Sequence, residues 1–350
     1  MQEFSESLIG WYKKNKRDLP WRNTRDPYKI WLSEIIMQQT RVKQGLSYYN
    51  SFVKKYPTLI KLANAPIDEV MKMWQGLGYY SRARNLHQTA KDIVVRYKNI
   101  FPTKYKDIKA LKGVGDYTAA AISSFAFDEP YAVVDGNVYR LLSRVFNIDL
   151  AIDSGLGKKY FQELATELLD KKKAAIYNQA IMEFGALQCR PVNPDCDSCC
   201  LKLKCKAFEL KNFKELPVKT NKTKIKNRYL NYFVFRYKNN LFIKKRTEND
   251  IWKGLYDFYL VENNTRKKNE TILQNKKFKE LIKGKSISIK SISKEYKHIL
   301  SHRHLFAIFY EIDLKKEIKM QGFKKIPMYK IEKYAFPRLI EKYINDDIIF

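Results

Sequence analysis

The chain has 350 residues and carries 67 Lys and Arg against 37 Asp and Glu, a formal net charge of +30. That length predicts two or three domains, and that charge excludes an acidic chain and makes a polyanion the first partner to consider. Apolar residues at 45% and aromatics at 14% exclude a wholly disordered chain and supply enough side chains for real cores.

No apolar run approaches the roughly 18–20 residues of a membrane span. The N-terminal stretch holds Glu3 and Glu6 and no long apolar segment, so no secretory signal is expected and the chain is placed in the cytoplasm. Lys outnumbers Arg 51 to 16, so compositional bias stands beside polyanion binding as a source of the charge. The excess is uneven: residues 1–210 carry 33 basic and 22 acidic residues (+11), and residues 211–350 carry 34 and 15 (+19).

Residues 1–210 read as an all-α domain. A long run from Tyr28 to Tyr56 lacks internal Pro and is stopped by Pro57; residues 66–74 place Pro at a helical first turn. Residues 81–97 and 158–170 are amphipathic. Within the first run, Glu34 is enclosed by Ile30-Trp31-Leu32-Ser33 and Ile35-Ile36-Met37. A helical Glu usually faces solvent, but this setting predicts burial, which would raise its pKa and let it serve as a general acid. Residues 111–121 place Gly113-Val114-Gly115 before an Ala-rich helix. Two glycines in a tight turn leave backbone N–H groups to meet an anion at the helix N-terminus, a helix-hairpin-helix phosphate grip. An ordinary helix–helix turn is the alternative. Asp135 lies in Ala132-Val133-Val134-Asp135-Gly136-Asn137-Val138, where Asp-Gly most often marks a turn. Paired with Glu34 it would suit cleavage of a glycosidic bond through an oxocarbenium-like transition state.

All five cysteines fall within 17 residues, and four read Cys189-x6-Cys196-x2-Cys199-x5-Cys205. Thiolates so crowded need a cation, either zinc or an iron–sulfur cluster. Only one gap is short enough for a zinc knuckle, and the wider reach suits a four-iron cubane. Cys200 reads as a free neighbour.

Residues 211–228 hold six Lys and one Arg against one Glu and read as a basic linker. Beyond it, residues 229–350 read as an α+β domain. A hairpin turns at Lys238-Asn239-Asn240, residues 266–283 look helical, 304–314 form a strand and 335–345 a closing helix.

Several segments occur in order: LPWR (19–22), WLSEIIMQQT (31–40), WQGLGYYSRARNL (74–86), GVGDYTAAAI (113–122), VVDGNVYR (133–140), YNQAIMEFGA (177–186) and the cysteine array. Together they resemble the MutY family of adenine DNA glycosylases, in the helix-hairpin-helix superfamily, over residues 5–208. Residues 229–350 are similar, more loosely, to that family's Nudix-like C-terminal domain, through Trp252-Lys-Gly254-Leu255-Tyr-Asp-Phe258 and His298-Ile-Leu300-Ser301-His302. The Glu-rich box of Nudix hydrolases is absent, so no pyrophosphate chemistry is expected.

The resemblance implies a mainly α helix-hairpin-helix glycosylase domain (1–210) with a [4Fe-4S] cluster loop, the basic linker (211–228), and a Nudix-like lesion-recognition domain (229–350). It implies a monofunctional DNA repair enzyme that flips out and excises adenine mispaired with 8-oxoguanine or guanine in duplex DNA, working as a monomer at the nucleoid without a membrane. It casts Glu34 as the acid, Asp135 as the carboxylate facing the sugar cation, Asn137 as its hydrogen-bonding neighbour and Tyr117 as the active-site tyrosine. Arg17, Trp21, Arg22 and Gln179 would line the adenine pocket. Gln39 and Tyr79 would wedge into the base stack, Gly113, Val114, Gly115 and Thr118 would grip the backbone, and Ser301 and His302 would sense 8-oxoguanine. Cys189, Cys196, Cys199 and Cys205 would hold the cluster. Leu300 stands where the family usually has Phe, Lys112 and Cys200 where it commonly has Pro, and Asp116 where it has a basic residue. The endonuclease III branch carries a lyase Lys at the place of Tyr117, and a non-catalytic cluster module would need neither Glu34 nor Asp135.

Overall fold

The computed structural model describes residues 2–221 and 225–347, and the chain divides into two compact units. The first comprises Met1–Asn64 and Asn85–Asn221, the second Ala65–Arg84 and Lys222–Phe350. Among the described residues no helix is long and apolar enough to cross a membrane.

The first unit is helical and, among its described residues, has no strand. Helices Pro27–Met37 and Asp116–Phe127 pack together at its centre. Asp26 starts the first, its side chain accepting from the Tyr28 N–H at 2.9 Å, with Pro27 in the first turn where a missing N–H costs nothing. In the second, Thr118 to Ala126 are buried without interruption, and Ala119, Ala120 and Ala121 keep that helix slim enough for neighbours on every side. The run expected from Tyr28 to Tyr56 is broken at Gln38–Arg41, and a separate helix spans Val42–Lys55. Gln39 turns the chain with a left-handed φ of 53°; no Gly or Pro announces the break. A further core lies among helices Gln2–Asn15, Gly136–Phe146, Gly155–Leu168 and Ala174–Leu187, where Leu8, Leu142, Phe161 and Phe184 are fully buried. Each such side chain stabilises the fold by about 1.5–3 kcal/mol relative to exposure.

The segment expected to be a linker, 211–228, is tied to the first unit as far as Asn221. Arg144 donates to the carbonyls of Phe213 (2.9 Å) and Leu216 (3.2 Å), the Ile152 N–H donates to Val218, and Asp153 accepts from the N–H groups of Thr220 and Asn221. Residues 222–224 of that linker lie outside the described residues. Lys226 to Arg228 already belong to a strand.

That strand, β1 (Lys226–Tyr237), opens an eight-stranded sheet with β2 (Asn240–Lys245), β3 (Tyr256–Asp257), β4 (Tyr259–Asn263), β5 (Ile287–Ile292), β6 (Tyr296–Ile299), β7 (Arg303–Leu314) and β8 (Phe323–Pro327). The long parallel pair β1–β7 lies inside it, with Tyr229 opposite Phe306 and Tyr232 opposite Phe309; the other pairings are antiparallel. Leu230 to Phe235 are all buried, the signature of a strand covered on both faces. Phe233 stacks at 3.9 Å on Phe278 of helix Lys276–Ile282, and from the other face Phe309 stacks at 3.9 Å on Tyr343 of helix Arg338–Asp347. The helix expected over 266–283 is two, Asn269–Leu273 and Lys276–Ile282, because Asn275 caps the second by accepting from the Phe278 N–H.

Residues 65–84 belong to this second unit through side-chain bonds. Asp68 pairs with Lys245 and accepts from the Tyr256 hydroxyl at 2.9 Å. Lys72 donates to the Tyr334 carbonyl, Gln75 accepts from the Phe336 N–H, and Arg84 donates to the Lys253 carbonyl.

Candidate active site and cysteine hollow

Glu34 stands on the central helix with only 8% of its surface exposed. Burial raises its pKa to about 7; a hydrogen bond from Tyr117 and the charge of Arg22 pull the other way, while Asp135 adds to the rise. Tyr117 projects from helix Asp116–Phe127, its hydroxyl 3.8 Å from the Met182 sulfur, and burial beside two carboxyls lifts its own pKa well above the phenolic range.

Asp135 is the N-cap of helix Gly136–Phe146. Its carboxylate accepts from the N–H groups of Asn137 (2.9 Å) and Val138 (2.8 Å) and from the Asn137 side-chain amide (2.7 Å). Burial raises its pKa and these three donors hold the rise back. Glu34 and Asp135 therefore share one electrostatic neighbourhood in unlike settings: one apolar and short of donors, the other at a helix N-terminus rich in them.

Trp21, Arg22, Glu34 and Gln179 line one cleft together with Ile30, Ser33, Phe125 and Met182. Trp21 meets Tyr49 edge-on at 5.0 Å, and Gln179 accepts from the Tyr12 hydroxyl at 2.6 Å. Arg17 is not among the residues lining that cleft; it grips Glu183 instead, through Nε (2.8 Å), Nη2 (2.5 Å) and its backbone N–H (3.0 Å). Arg22 joins the same carboxylate at 2.6 Å.

The hairpin expected at 111–118 is present. Gly113 adopts φ +83°, and a Cβ there would press on Asn85 at 3.0 Å. Gly115 caps the following helix and has no side chain of its own to cover the first N–H groups. Val114 is buried, and so is Thr118, whose hydroxyl accepts from Gln38 at 3.3 Å. Those two residues can offer an anion only their backbone. Asp116, a carboxylate where an anion would sit, pairs with Lys109 and accepts from Tyr105 at 3.1 Å. Gln39 and Tyr79 share left-handed backbone, φ 53° and 46°, unusual for residues with side chains and common where a fold spends strain on function. Ser301 and His302 occupy the turn between β6 and β7, the hydroxyl 3.3 Å from the imidazole Nδ1.

Cys189, Cys196, Cys199 and Cys205 line one hollow with Leu141, Arg144, Val145, Phe184 and Leu201. Burial pushes the thiols of Cys196 and Cys205 up and that of Cys199 to about 12, with neighbouring thiols adding to each rise. Such thiols stay protonated at neutral pH until a cation claims them. Among the described residues no three His, Cys, Asp or Glu side chains converge on a single-ion site. Cys200 is exposed, its sulfur 3.8 Å from the Ser7 carbonyl.

Three residues escaped the sequence reading. Glu183 is fully enclosed between two guanidinium groups. Arg140 donates to the Asn137 amide oxygen (3.0 Å) and to the carbonyls of Gly185 (2.6 Å) and Cys189 (2.8 Å). Arg144 donates to the carbonyls of Arg190 and Pro191 and reaches the Cys189 sulfur at 3.5 Å. The available signal was the one that flagged Glu34: a charge set among apolar residues at helical spacing, as in Ile181-Met182-Glu183-Phe184 and Val138 to Val145.

Residues 32–176 match the family model of the HhH-GPD superfamily base excision DNA repair protein, and residues 231–346 match that of the NUDIX domain. An adenine DNA glycosylase of Buchnera aphidicola subsp. Baizongia pistaciae is 34% identical over 312 residues, which cover 87% of this chain and 84% of that protein. One from Buchnera aphidicola subsp. Acyrthosiphon pisum is 32% identical over 354 residues, 98% of this chain and 97% of that protein. Among solved structures, a thermostable thymine-DNA glycosylase superposes with a TM-score of 0.56 at 31% identity, covering 60% of this chain and 96% of that chain.

Proposed function

The chain belongs to the MutY family of adenine DNA glycosylases, and from that membership we propose that it excises adenine mispaired with 8-oxoguanine or guanine by acid-catalysed hydrolysis of the N-glycosidic bond. It is a DNA glycosylase of base excision repair, a hydrolase of N-glycosyl bonds whose partner is DNA. The observation that carries the finer reading is the cleft in which Trp21, Arg22 and Gln179 surround Glu34, a carboxyl that burial keeps half-protonated near pH 7.

A flipped purine seated there receives the Glu34 proton as its bond to the sugar breaks. Asp135, held by Asn137 and Val138 at a helix N-terminus, turns its negative charge toward the sugar cation, and Glu34, now ionised, draws a proton from the water that adds to it. Tyr117 hydrogen-bonds Glu34 and offers no amine, so excision proceeds without a Schiff base and without strand cleavage. Gln39 and Tyr79 enter the base stack, the N–H groups of residues 113–118 take a phosphate, and Ser301 and His302 read the base opposite. The enzyme acts as a monomer on nucleoid DNA in the cytoplasm.

The cysteine hollow fits a [4Fe-4S] cluster: four thiols line it, walled largely by aliphatic and aromatic carbon, with Arg144 and Lys202 to offset charge and Asp195 as the one carboxylate among the lining residues. The cluster would supply four iron–thiolate bonds that pin the loop of residues 189–205. The test is a set of duplexes carrying adenine opposite 8-oxoguanine, guanine, cytosine or thymine. Alkali-labile sites are expected in the first two, 8-oxoguanine fastest, with no cleavage before alkali. Equal rates across all four, or cleavage before alkali, would reject the assignment.

A further inference from the structure

Glu183 is a buried carboxylate to which the reaction above gives no part. It sits on helix Ala174–Leu187, 1% exposed. Arg17 binds it through three nitrogens, and Arg22 shares its Oε2. Burial alone would drive that carboxylate to protonate; the hydrogen bonds from Arg17 and Arg22 overcome it and hold the pKa at about 2. The two arginines differ in their access to water. Arg17 keeps 35% of its side chain exposed, so solvent screens it, whereas Arg22 keeps 11% and lies over the Tyr12 ring at 5.7 Å.

Arg22 also lines the cleft of Glu34, and its charge bears on that carboxyl. The charged and titratable groups that face Glu34 are Arg22 from the turn Pro20–Arg22, Tyr117 from helix Asp116–Phe127 and Asp135 from the cap of the next helix. Of these only Arg22 is a cation, and a cation in a dry cleft acts at high strength.

We propose that Glu183 is a positioning residue of the acid step: it neutralises Arg22 and fixes that guanidinium in the pocket wall, so that Glu34 faces a balanced pair and keeps its proton. This inference rests on the reading of Glu34 as the general acid. With Glu183 made neutral, Arg22 has Glu34 as its remaining carboxyl in the cleft and draws it toward the ionised form. Loss of the proton then begins at lower pH, and the basic limb of the excision profile moves down.

The test is single-turnover excision of adenine opposite 8-oxoguanine between pH 5.5 and 9, with the full-length protein and its variants. Glu183→Gln keeps the shape and one acceptor oxygen. Its limb is expected about one pH unit lower, so its deficit relative to wild type is about tenfold larger at pH 8.5 than at pH 5.5. Glu183→Asp keeps the charge and should leave the limb where it is. Arg22→Gln should raise the limb, and adding Glu183→Gln to it should move the limb no further, since Glu183 acts through Arg22. That cycle also decides the matter if Glu183→Gln alone fails to fold. A uniform rate loss in Glu183→Gln with an unmoved limb, or a further shift on the Arg22→Gln background, overturns the proposal. Glu34→Gln is the parallel arm: if it excises within threefold of wild type, the reading of Glu34 falls, whatever Glu183 does.

Discussion

In the helical unit the groups assigned to chemistry are enclosed: Glu34 is 8% exposed, Glu183 is 1% exposed, and Asp135 accepts three hydrogen bonds at a helix start. In the sheet unit the groups assigned to reading the opposite base stand on a turn, where Ser301 is exposed and its hydroxyl lies 3.3 Å from the His302 imidazole. The contrast follows from what each group must do. A proton donor needs a shifted pKa, and burial is the cheapest way to shift one. A sensor of a second base needs open donors and acceptors that are free to form bonds only when that base arrives.

The largest effect expected from that contrast is at Glu34. Glu34→Gln should lower the excision rate by about 10²–10⁴-fold while leaving affinity for the lesion duplex nearly unchanged, because the amide keeps the shape and loses the proton. The same substitution should stabilise the fold at alkaline pH. Glu34 has a folded pKa of about 7 against 4.5 for the free side chain, so between those values the folded state holds more proton than the unfolded one. Stability therefore falls as pH rises through that window, by roughly 3 kcal/mol if the whole shift is realised. Denaturant unfolding should show Glu34→Gln gaining on wild type from pH 5 to pH 8. Parallel stability curves would mean that Glu34 is not buried in the charged form.

The second expected effect concerns the cysteine hollow. Anaerobically purified protein should contain four irons and four inorganic sulfides per chain, and Ser at Cys189, Cys196, Cys199 or Cys205 should each diminish them. Cys200→Ser should retain the full complement, since that thiol is exposed and lies beside Ser7 rather than among the lining residues. One zinc per chain and no iron would replace the cluster with a single ion.

How much of this was open to reading in the sequence depends on the range of the interaction. Glu34 and Asp135 stand out because each interrupts an apolar segment, and their roles in the fold are local: a helix face and a helix cap. The hairpin glycines were legible for the same reason, Gly113 being forced to φ +83° by its own turn. The inward turn of Thr118 was not, since its partner Gln38 is 80 residues away. The break at Gln38–Arg41 carries no Gly or Pro, and a continuous helical pattern on either side hides it. Least legible was the membership of residues 65–84 in the sheet unit. It rests on bonds from Asp68, Lys72, Gln75 and Arg84 to residues more than 160 positions away, and nothing periodic in the segment points to them.

That last point decides how the smallest effect should be measured. Removing residues 222–350 would strip partners from Asp68, Lys72, Gln75 and Arg84, which flank Tyr79 in sequence, so a truncation confounds reading of the opposite base with the wedge. Point substitution on the turn separates them. Ser301 and His302 sit on a turn outside the core, and the strand that follows is anchored through Leu305, Ala307 and Phe309, all fully buried. Replacing both with Ala should leave unfolding unchanged. If both contact 8-oxoguanine, two hydrogen bonds worth about 0.5–1.5 kcal/mol each are lost from that mispair and none from adenine opposite guanine. The ratio of excision rates for the two duplexes should fall about tenfold, carried almost entirely by the 8-oxoguanine arm. An equal fall on both duplexes would mean that the turn touches the DNA backbone and not the base, and discrimination would then have to come from Gln39 and Tyr79.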